Sequence, residues 1–132
     1  MVVKMAVLDS SFLIDFCRKR AKTFEIYKGI KESGGAIFVT SISLMELWEG
    51  ALKSEFPEKE KLKVEEMLAS LRSLDFDFSA AQKAAELNIT LKDNPLEVTD
   101  IMIAAIAMTH GETLVTRDEH FARIPGLSVL KY

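Results

Sequence analysis

A single cysteine, Cys17, stands among 132 residues. One thiol excludes an internal disulfide and any cysteine-rich zinc site. Histidine is nearly as scarce, with only His110 and His120, so no histidine cluster for a metal is present either. Long apolar runs are lacking: the longest, Ile101 to Met108, falls well short of the roughly 20 residues a membrane-spanning helix needs. The opening Met-Val-Val-Lys-Met-Ala-Val-Leu-Asp has an apolar strand pattern. It has no charged lead, no long apolar core and no small-residue cleavage site, so it is not a signal peptide. A cytoplasmic protein with no membrane contact is therefore expected. Excess positive charge is missing too, because the formal net charge is −3. Dedicated nucleic-acid binders carry a basic balance, so any contact with nucleic acid must come from a local patch or from a bound metal. No repeat, low-complexity segment or linker divides the chain, and residues 1–132 are expected to form one domain.

What is present is a large apolar fraction, 48% of residues, enough to build a core. The pattern alternates between short β-rich runs and longer helical runs. Lys4 to Leu8 reads as a buried strand, after which Ser10 and Ser11 offer capping hydroxyls to a helix through Phe12, Leu13, Ile14 and Phe16. A second helix spans about Ala21 to Glu32 and ends at Gly34-Gly35. Ala36 to Thr40 is the second strand. Ser41 or Ser43 caps a helix through Met45, Leu47, Trp48 and Leu52. Pro57 breaks that helix, and a charged amphipathic helix follows from about Glu58 to Ser73. Phe76 to Phe78 reads as a short strand, Ser79 as the start of a helix through Ala84, Leu87 and Leu91, and Asn94-Pro95 as a turn. Thr99 caps a helix that ends at Gly111. Thr113 to Thr116 and Leu127 to Leu130 are the last strands. Strands alternating with helices argue for a parallel sheet covered on both faces.

Four acids stand out against this pattern. In an open parallel sheet, ligands bind beyond the C-terminal ends of the strands. Asp9 directly follows the first strand and Asp118 lies two residues past Thr116, so both belong at one sheet edge. Asp100 occupies the first turn of a helix that is apolar nearly all round, Ile-Met-Ile-Ala-Ala-Ile-Ala-Met, and such a helix is buried. Glu46 lies one turn into its helix between Leu44, Met45, Leu47 and Trp48. Each acid has an ordinary reading as a helix cap, a dipole partner or a surface residue. Converging without a Lys or Arg partner they repel one another, and proton uptake or a bound cation resolves that repulsion. Hard oxygen donors suit Mg²⁺ or Mn²⁺, and such an ion supports phosphodiester hydrolysis.

These residues resemble the PIN-domain family, over nearly the whole chain. Residues 7 to 15, Val-Leu-Asp-Ser-Ser-Phe-Leu-Ile-Asp, are similar to its strand-Asp opening. Ser41 to Gly50 is similar to its Glu-bearing helix, with Glu46 as the matching acid. Thr99 to Ala107 resembles its Asp-x-x-Ile-Ala-Ala segment, with Asp100 as the acid. Leu114 to Phe121, followed by Ile-Pro-Gly-Leu at 124 to 127, resembles its last motif and is most similar to the small VapC-type toxins. The resemblance implies a three-layer α/β/α sandwich with a central, mainly parallel sheet, and Mg²⁺- or Mn²⁺-dependent RNA cleavage by Asp9, Glu46, Asp100 and Asp118. It also implies a homodimer and inhibition by a cognate antitoxin. The fourth acidic position varies in the family between Asp and Asn. Thr116 matches a hydroxyl that the family places near the metal, and Ser10 is similarly placed, with helix capping as its other reading.

Arg18, Lys19, Arg20 and Lys22 form the one basic cluster. Its ordinary reading is a solvated helix end, and its functional one is contact with RNA phosphates. His110, His120 and Trp48 stay with their ordinary readings, as do Met45, Met67, Met102 and Met108 as core fillers. Asp15 and Glu49 read as solvated helix positions. A stand-alone PIN endonuclease of RNA processing and a non-catalytic module on the same scaffold remain as alternatives. A receiver domain would need paired acids after the first strand, and a haloacid-type phosphatase would need an Asp where Ser11 stands.

Overall fold

The computed structural model describes residues 5–132; Lys4, assigned from the sequence to the first strand, lies outside the described residues. In chain order the elements are β1 (Met5–Leu8), α1 (Ser10–Cys17), α2 (Ala21–Glu32), β2 (Ala36–Thr40), α3 (Ser41–Leu52), α4 (Pro57–Leu68), β3 (Arg72–Leu74), α5 (Phe78–Thr90), α6 (Val98–Thr109), β4 (Thr113–Thr116), a 3₁₀ turn (Glu119–Arg123) and β5 (Val129–Lys131). The strands form one five-stranded sheet in the order β3-β2-β1-β4-β5. Every pairing is parallel.

Successive side chains of a strand point to opposite faces, and the core divides accordingly. Val7, Phe38 and Leu114 face α5 and α6, together with Phe121 and Ile124. Ala6, Leu8, Ile37, Val39 and Val115 face the other layer, where Phe12, Leu13, Ile30, Leu47 and Val64 close over them. With both faces covered, the central strands read as apolar runs rather than alternating ones. The result is the expected three-layer α/β/α sandwich. From β1 the chain first builds outward to β2 and β3, then returns to add β4 and β5 on the other side. The strand order therefore reverses between β1 and β4, and the crevice for a ligand opens there, beyond their C-terminal ends.

Several local assignments differ. The strand expected at Phe76–Phe78 is Arg72–Leu74 instead, and α4 ends at Leu68 rather than at Ser73. β3 is an edge strand paired only to β2, through Phe38–Arg72, Val39–Ser73 and Thr40–Leu74. Arg72 and Ser73 are exposed, so no apolar alternation marks it and only the pairing does. Phe78 opens α5 because Asp77 caps that helix, its Oδ1 accepting the Ala80 N–H at 2.9 Å. The cap of α3 is neither Ser41 nor Ser43 but Thr40, whose Oγ1 accepts the Ser43 N–H at 3.0 Å. Asp9 takes the cap position of α1 in place of Ser10 or Ser11, and Glu97 that of α6 in place of Thr99. In β1 and β2 the strand runs into its helix with at most one residue between, so the cap falls earlier than a loop would place it. β5 lies two residues later at its start than Leu127, which instead makes a turn with its N–H to the Ile124 carbonyl. Met45 is 49% exposed and is not a core filler.

Helix α6 carries the deepest packing: Ile101, Ile103, Ala104, Ala105, Ile106 and Ala107 are all buried. It crosses the sheet with α5 beside it and holds Asp100 at its mouth. Replacing a fully buried Ile by Ala removes its transfer free energy and leaves a cavity that relaxes only in part. Ile106→Ala is expected to cost about 2–5 kcal/mol of folding stability, read by urea unfolding; a midpoint unchanged from wild type would contradict this packing.

Candidate active site

Asp9 follows β1 directly, and its N–H donates to the Val115 carbonyl at 3.0 Å, tying it to the end of β4. Its side chain is buried, at 5% exposure. A buried carboxylate needs hydrogen-bond partners, and two hydroxyls meet it on Oδ2: Thr116 Oγ1 donates at 2.8 Å and Ser11 Oγ at 3.0 Å. Thr116 in turn accepts the Asp118 N–H at 3.0 Å. One relay thus joins the ends of β1 and β4 and sets the path of the chain into the 3₁₀ turn. Asp118 caps that turn, its Oδ1 accepting the His120 N–H at 2.9 Å, and the imidazole Nδ1 lies 3.2 Å from the same oxygen. The capping reading of Asp118 is therefore met, alongside its place in the site. Glu46, one turn into α3, accepts from Ser10 Oγ at 3.3 Å. Ser10 is thus engaged with an acid rather than with the helix backbone.

Asp9, Glu46, Asp100 and Asp118 line one cavity of about 320 Å³ at the crevice, with Ser10 and Ser11. Thr116 stands behind Asp9. The cavity also takes in Glu97 and Arg117, which the sequence did not single out, and His120, which the sequence left with an ordinary surface reading and which the structure places at the site instead. Asp100, Asp118 and His120 bring ligand atoms within 4.8 Å of one another. Arg18, Lys19, Arg20 and Lys22 are exposed in and after the turn between α1 and α2, and none of the four lines this cavity.

The largest correction concerns Asp15. It is not a solvated position: only 1% of its side chain is exposed. Its Oδ2 accepts from the Tyr132 hydroxyl at 2.9 Å, and its Oδ1 lies 3.4 Å from Arg20 Nε and 3.5 Å from Arg117 Nη1. Helical spacing held a signal for this. Asp15 is three residues after Phe12, a core residue, and positions three apart share a helix face. Glu49, by contrast, is exposed and pairs with Lys53.

The acids are held in an unfavourable state as anions. Burial, followed by the negative charges of Asp118, Asp9 and Glu97, raises the Asp100 carboxyl to about 6. Burial also pushes Glu46 above the usual carboxylate range, with Asp9 adding to the effect. At Asp9 burial outweighs the hydrogen bonds from Thr116 and Ser11, and its pKa rises as well. The one guanidinium that lines the cavity, that of Arg117, is drawn to Asp15 instead. Carboxylate oxygens with one imidazole beside them are a donor set that fits a hard divalent cation such as Mg²⁺ or Mn²⁺.

A pH dependence follows for the metal-free protein. The folded state keeps the Asp100 proton up to about pH 6, whereas an ordinary Asp releases it near 3.8. Between these values the folded state binds more protons than the unfolded one, so this group's contribution to stability falls as pH rises through the window. Asp9 and Glu46 shift in the same direction. In EDTA, Tm is therefore expected to fall as pH is raised from about 4 to about 7. Asp100→Asn should flatten that fall and raise Tm by a few degrees at pH 7, as thermal unfolding would register. A variant less stable than wild type at pH 7 would count against repulsion in the pocket.

Comparison with known proteins agrees with this fold. The family model described as PIN domain matches residues 6–127. The tRNA(fMet)-specific endonuclease VapC of Salmonella typhimurium is 38% identical over 94 residues, which cover 69% of this chain and 71% of that protein. Ribonuclease VapC2 of Haemophilus influenzae is 31% identical over 124 residues, 92% of each chain. Among solved structures, the DNA-bound VapBC complex of Salmonella typhimurium contains a chain that superposes with a TM-score of 0.87 at 31% identity, covering 96% of this chain and 97% of that one. The chain belongs to the PIN-domain family, and it is similar to the VapC ribonucleases of toxin–antitoxin pairs.

Proposed function

We propose that this chain is the toxin of a type II toxin–antitoxin pair, an endoribonuclease that holds Mg²⁺ or Mn²⁺ on Asp9, Glu46, Asp100 and Asp118. The reading takes residues 1–132 as a single PIN domain. Its main support is the convergence of four acids from four separate segments in one cavity, three of them pushed above the usual carboxylate range. The likeness to VapC ribonucleases supports the nuclease activity.

When bound, a divalent ion at such a donor set lowers the pKa of a water and stabilises charge on a phosphoryl oxygen. The side chains of this protein prepare the place. Thr116 and Ser11 fix the orientation of the Asp9 carboxylate, Ser10 steadies Glu46, and the capping bonds of Asp118 hold it at the mouth of the pocket. His120 adds a nitrogen beside Asp100 and Asp118, which makes Mn²⁺ as suitable as Mg²⁺. His120 stands beside Asp100 and Asp118 with its imidazole engaged by the acids that would hold the ion, so hydrolysis by water is favoured over attack by the 2′-hydroxyl. The substrate is single-stranded or loop RNA, whose splayed bases a nuclease can read, and the site of action is the cytoplasm. No helix of the described residues is long and apolar enough to cross a membrane.

An antitoxin fits the same site. The acidic cavity suits an antitoxin arginine, since a guanidinium pairs bidentately with carboxylates. Phe56, Phe78, Ile89 and Val98 are large apolar side chains left exposed; exposed apolar side chains that lie side by side in one patch are covered by a partner chain, and the partners proposed here are a second copy of the chain and the antitoxin.

Asp9→Asn keeps the shape of the ligand and removes its charge. It is expected to lower Mn²⁺ affinity at least about tenfold and cleavage by about a hundredfold or more, with circular dichroism unchanged. Products should carry 5′-phosphates and 3′-hydroxyls. A 2′,3′-cyclic phosphate in the mass spectrum of the fragments would rule out hydrolysis by water, and full activity in EDTA would rule out the metal. Expressed alone, the chain should arrest growth, and co-expression with the adjacent small gene should relieve the arrest; harmless expression of an active enzyme would favour a stand-alone nuclease.

A further inference from the structure

The most heavily partnered charge outside the acidic pocket is Asp15. Three segments converge on it: the adjacent turn after α1 with Arg20 and, from far along the chain, the loop after β4 with Arg117 and the C-terminal Tyr132. Tyr132 also packs edge-on against Phe12, with ring centroids 5.4 Å apart, so the end of the chain is docked beside the carboxylate. Buried charges are held only when paired, and one arginine would suffice for that. Here two guanidinium groups share one carboxylate, leaving a surplus of one positive charge. Asp15 Oδ1 receives no hydrogen bond from either; both guanidinium groups stand at ionic distance. Among the described residues Asp15 is the only ion-pair partner of either arginine, and both are more than half exposed, at 58% and 52%. Their donors are therefore available to a ligand.

The position of this surplus charge gives it a use. Arg117 lines the acidic cavity. Its N–H reaches Ser11 Oγ at 3.4 Å, the same hydroxyl that donates to Asp9, and Asp118 is its neighbour in the chain. Five carboxylates line the cavity, those of Asp9, Glu46, Glu97, Asp100 and Asp118. Even with a divalent ion bound, that pocket retains negative charge and repels the phosphates flanking the one being cut. It also attracts Arg117, whose swing onto the acids would compete with a metal. Asp15, in a drier setting, holds the guanidinium at the rim, because charge attraction is stronger where water is excluded.

We propose that Asp15 is a positioning residue that holds Arg117 at the rim of the acidic pocket, with Arg20 outside the cavity on the same carboxylate, as a cationic clamp that binds a backbone phosphate of the RNA strand. The same hold keeps Arg117 off the metal ligands. This assignment rests on the nuclease reading above and adds a phosphate subsite to it.

The test uses the whole chain, Mn²⁺ and a mixed-sequence single-stranded RNA oligonucleotide. Arg117→Ala should raise KM by about tenfold, the scale of one lost charge-assisted hydrogen bond, with a smaller change in kcat. The slope of log(1/KM) against log salt should become shallower by about 0.7, as expected for one phosphate contact to a single strand. Mn²⁺ affinity, measured by calorimetry without RNA, should not weaken. Asp15→Asn frees Arg117 and should weaken Mn²⁺ binding by up to about fivefold, the range of a partly exposed ion pair. Adding Arg117→Ala to Asp15→Asn should restore Mn²⁺ binding. A merely structural role for Asp15 predicts no such rescue, and its absence would overturn the proposal. If Asp15→Asn does not fold, Arg117→Ala alone decides: an unchanged KM and salt slope would overturn the clamp, and the expected changes would support it. A wild-type chain that neither binds Mn²⁺ nor cuts RNA would overturn the nuclease reading itself.

Discussion

The burial of Asp9 at the end of the central strand is the constraint on which the rest of the site depends. A carboxylate with so little contact with water needs donors, and the fold provides Thr116 from β4 and Ser11 from α1. Those two hydroxyls fix more than one side chain. Thr116 also receives the Asp118 N–H, and Ser11 receives the Arg117 N–H. The loop after β4 is thereby aligned on the same carboxylate that the proposed metal would use. The hydrogen bonds do not cancel the cost of burial, since the Asp9 pKa is still raised. The residual cost is what makes a cation welcome.

Charge is divided between two neighbouring centres. One is a cavity of acids that destabilise one another. The other is a single buried acid, Asp15, with two arginines and a tyrosine. Arg117 belongs to both, lining the first and pairing with the second. A net charge of −3 over the whole chain hides this arrangement, because a global sum cannot report a local pair of opposite fields. The basic cluster at residues 18–22 shows the same point. Of its members only Arg20 is drawn into an ion pair with a buried partner, and its place beside Arg117 comes from the shared carboxylate rather than from its neighbours in sequence.

Much of the fold was legible in the sequence because its central strands are buried on both faces and its helices carry clear apolar stripes. Ala21–Glu32, Ala36–Thr40 and Thr113–Thr116 fall where the pattern put them. β3 was not legible, because an exposed edge strand at Arg72–Leu74 owes its existence to pairing with β2 and not to its own composition. The caps of α1 and α3 were misplaced for a related reason: a cap depends on where the preceding strand ends, and strands that run straight into helices leave no loop to mark the boundary.

For the site, the sequence by itself singled out the four acids, placed Asp9 and Asp118 at one sheet edge and fixed the hard-oxygen character of the donors. Alternation of strands and helices forces Asp9 and Asp118 to one end of a parallel sheet, and an acid at the mouth of an apolar helix has nowhere else to face. Tertiary structure alone decided the neighbours that give those acids their properties. Asp15 is separated from both Arg117 and Tyr132 by more than a hundred residues, and no periodicity links them. His120 reaches Asp118 and Asp100 only because the 3₁₀ turn folds back over the crevice. Local pattern reports which face of an element is buried. Which charge meets which across the crevice is set by the packing of elements far apart in the chain, and electrostatic partnership depends on distance in space and on the exclusion of water, neither of which a local pattern records.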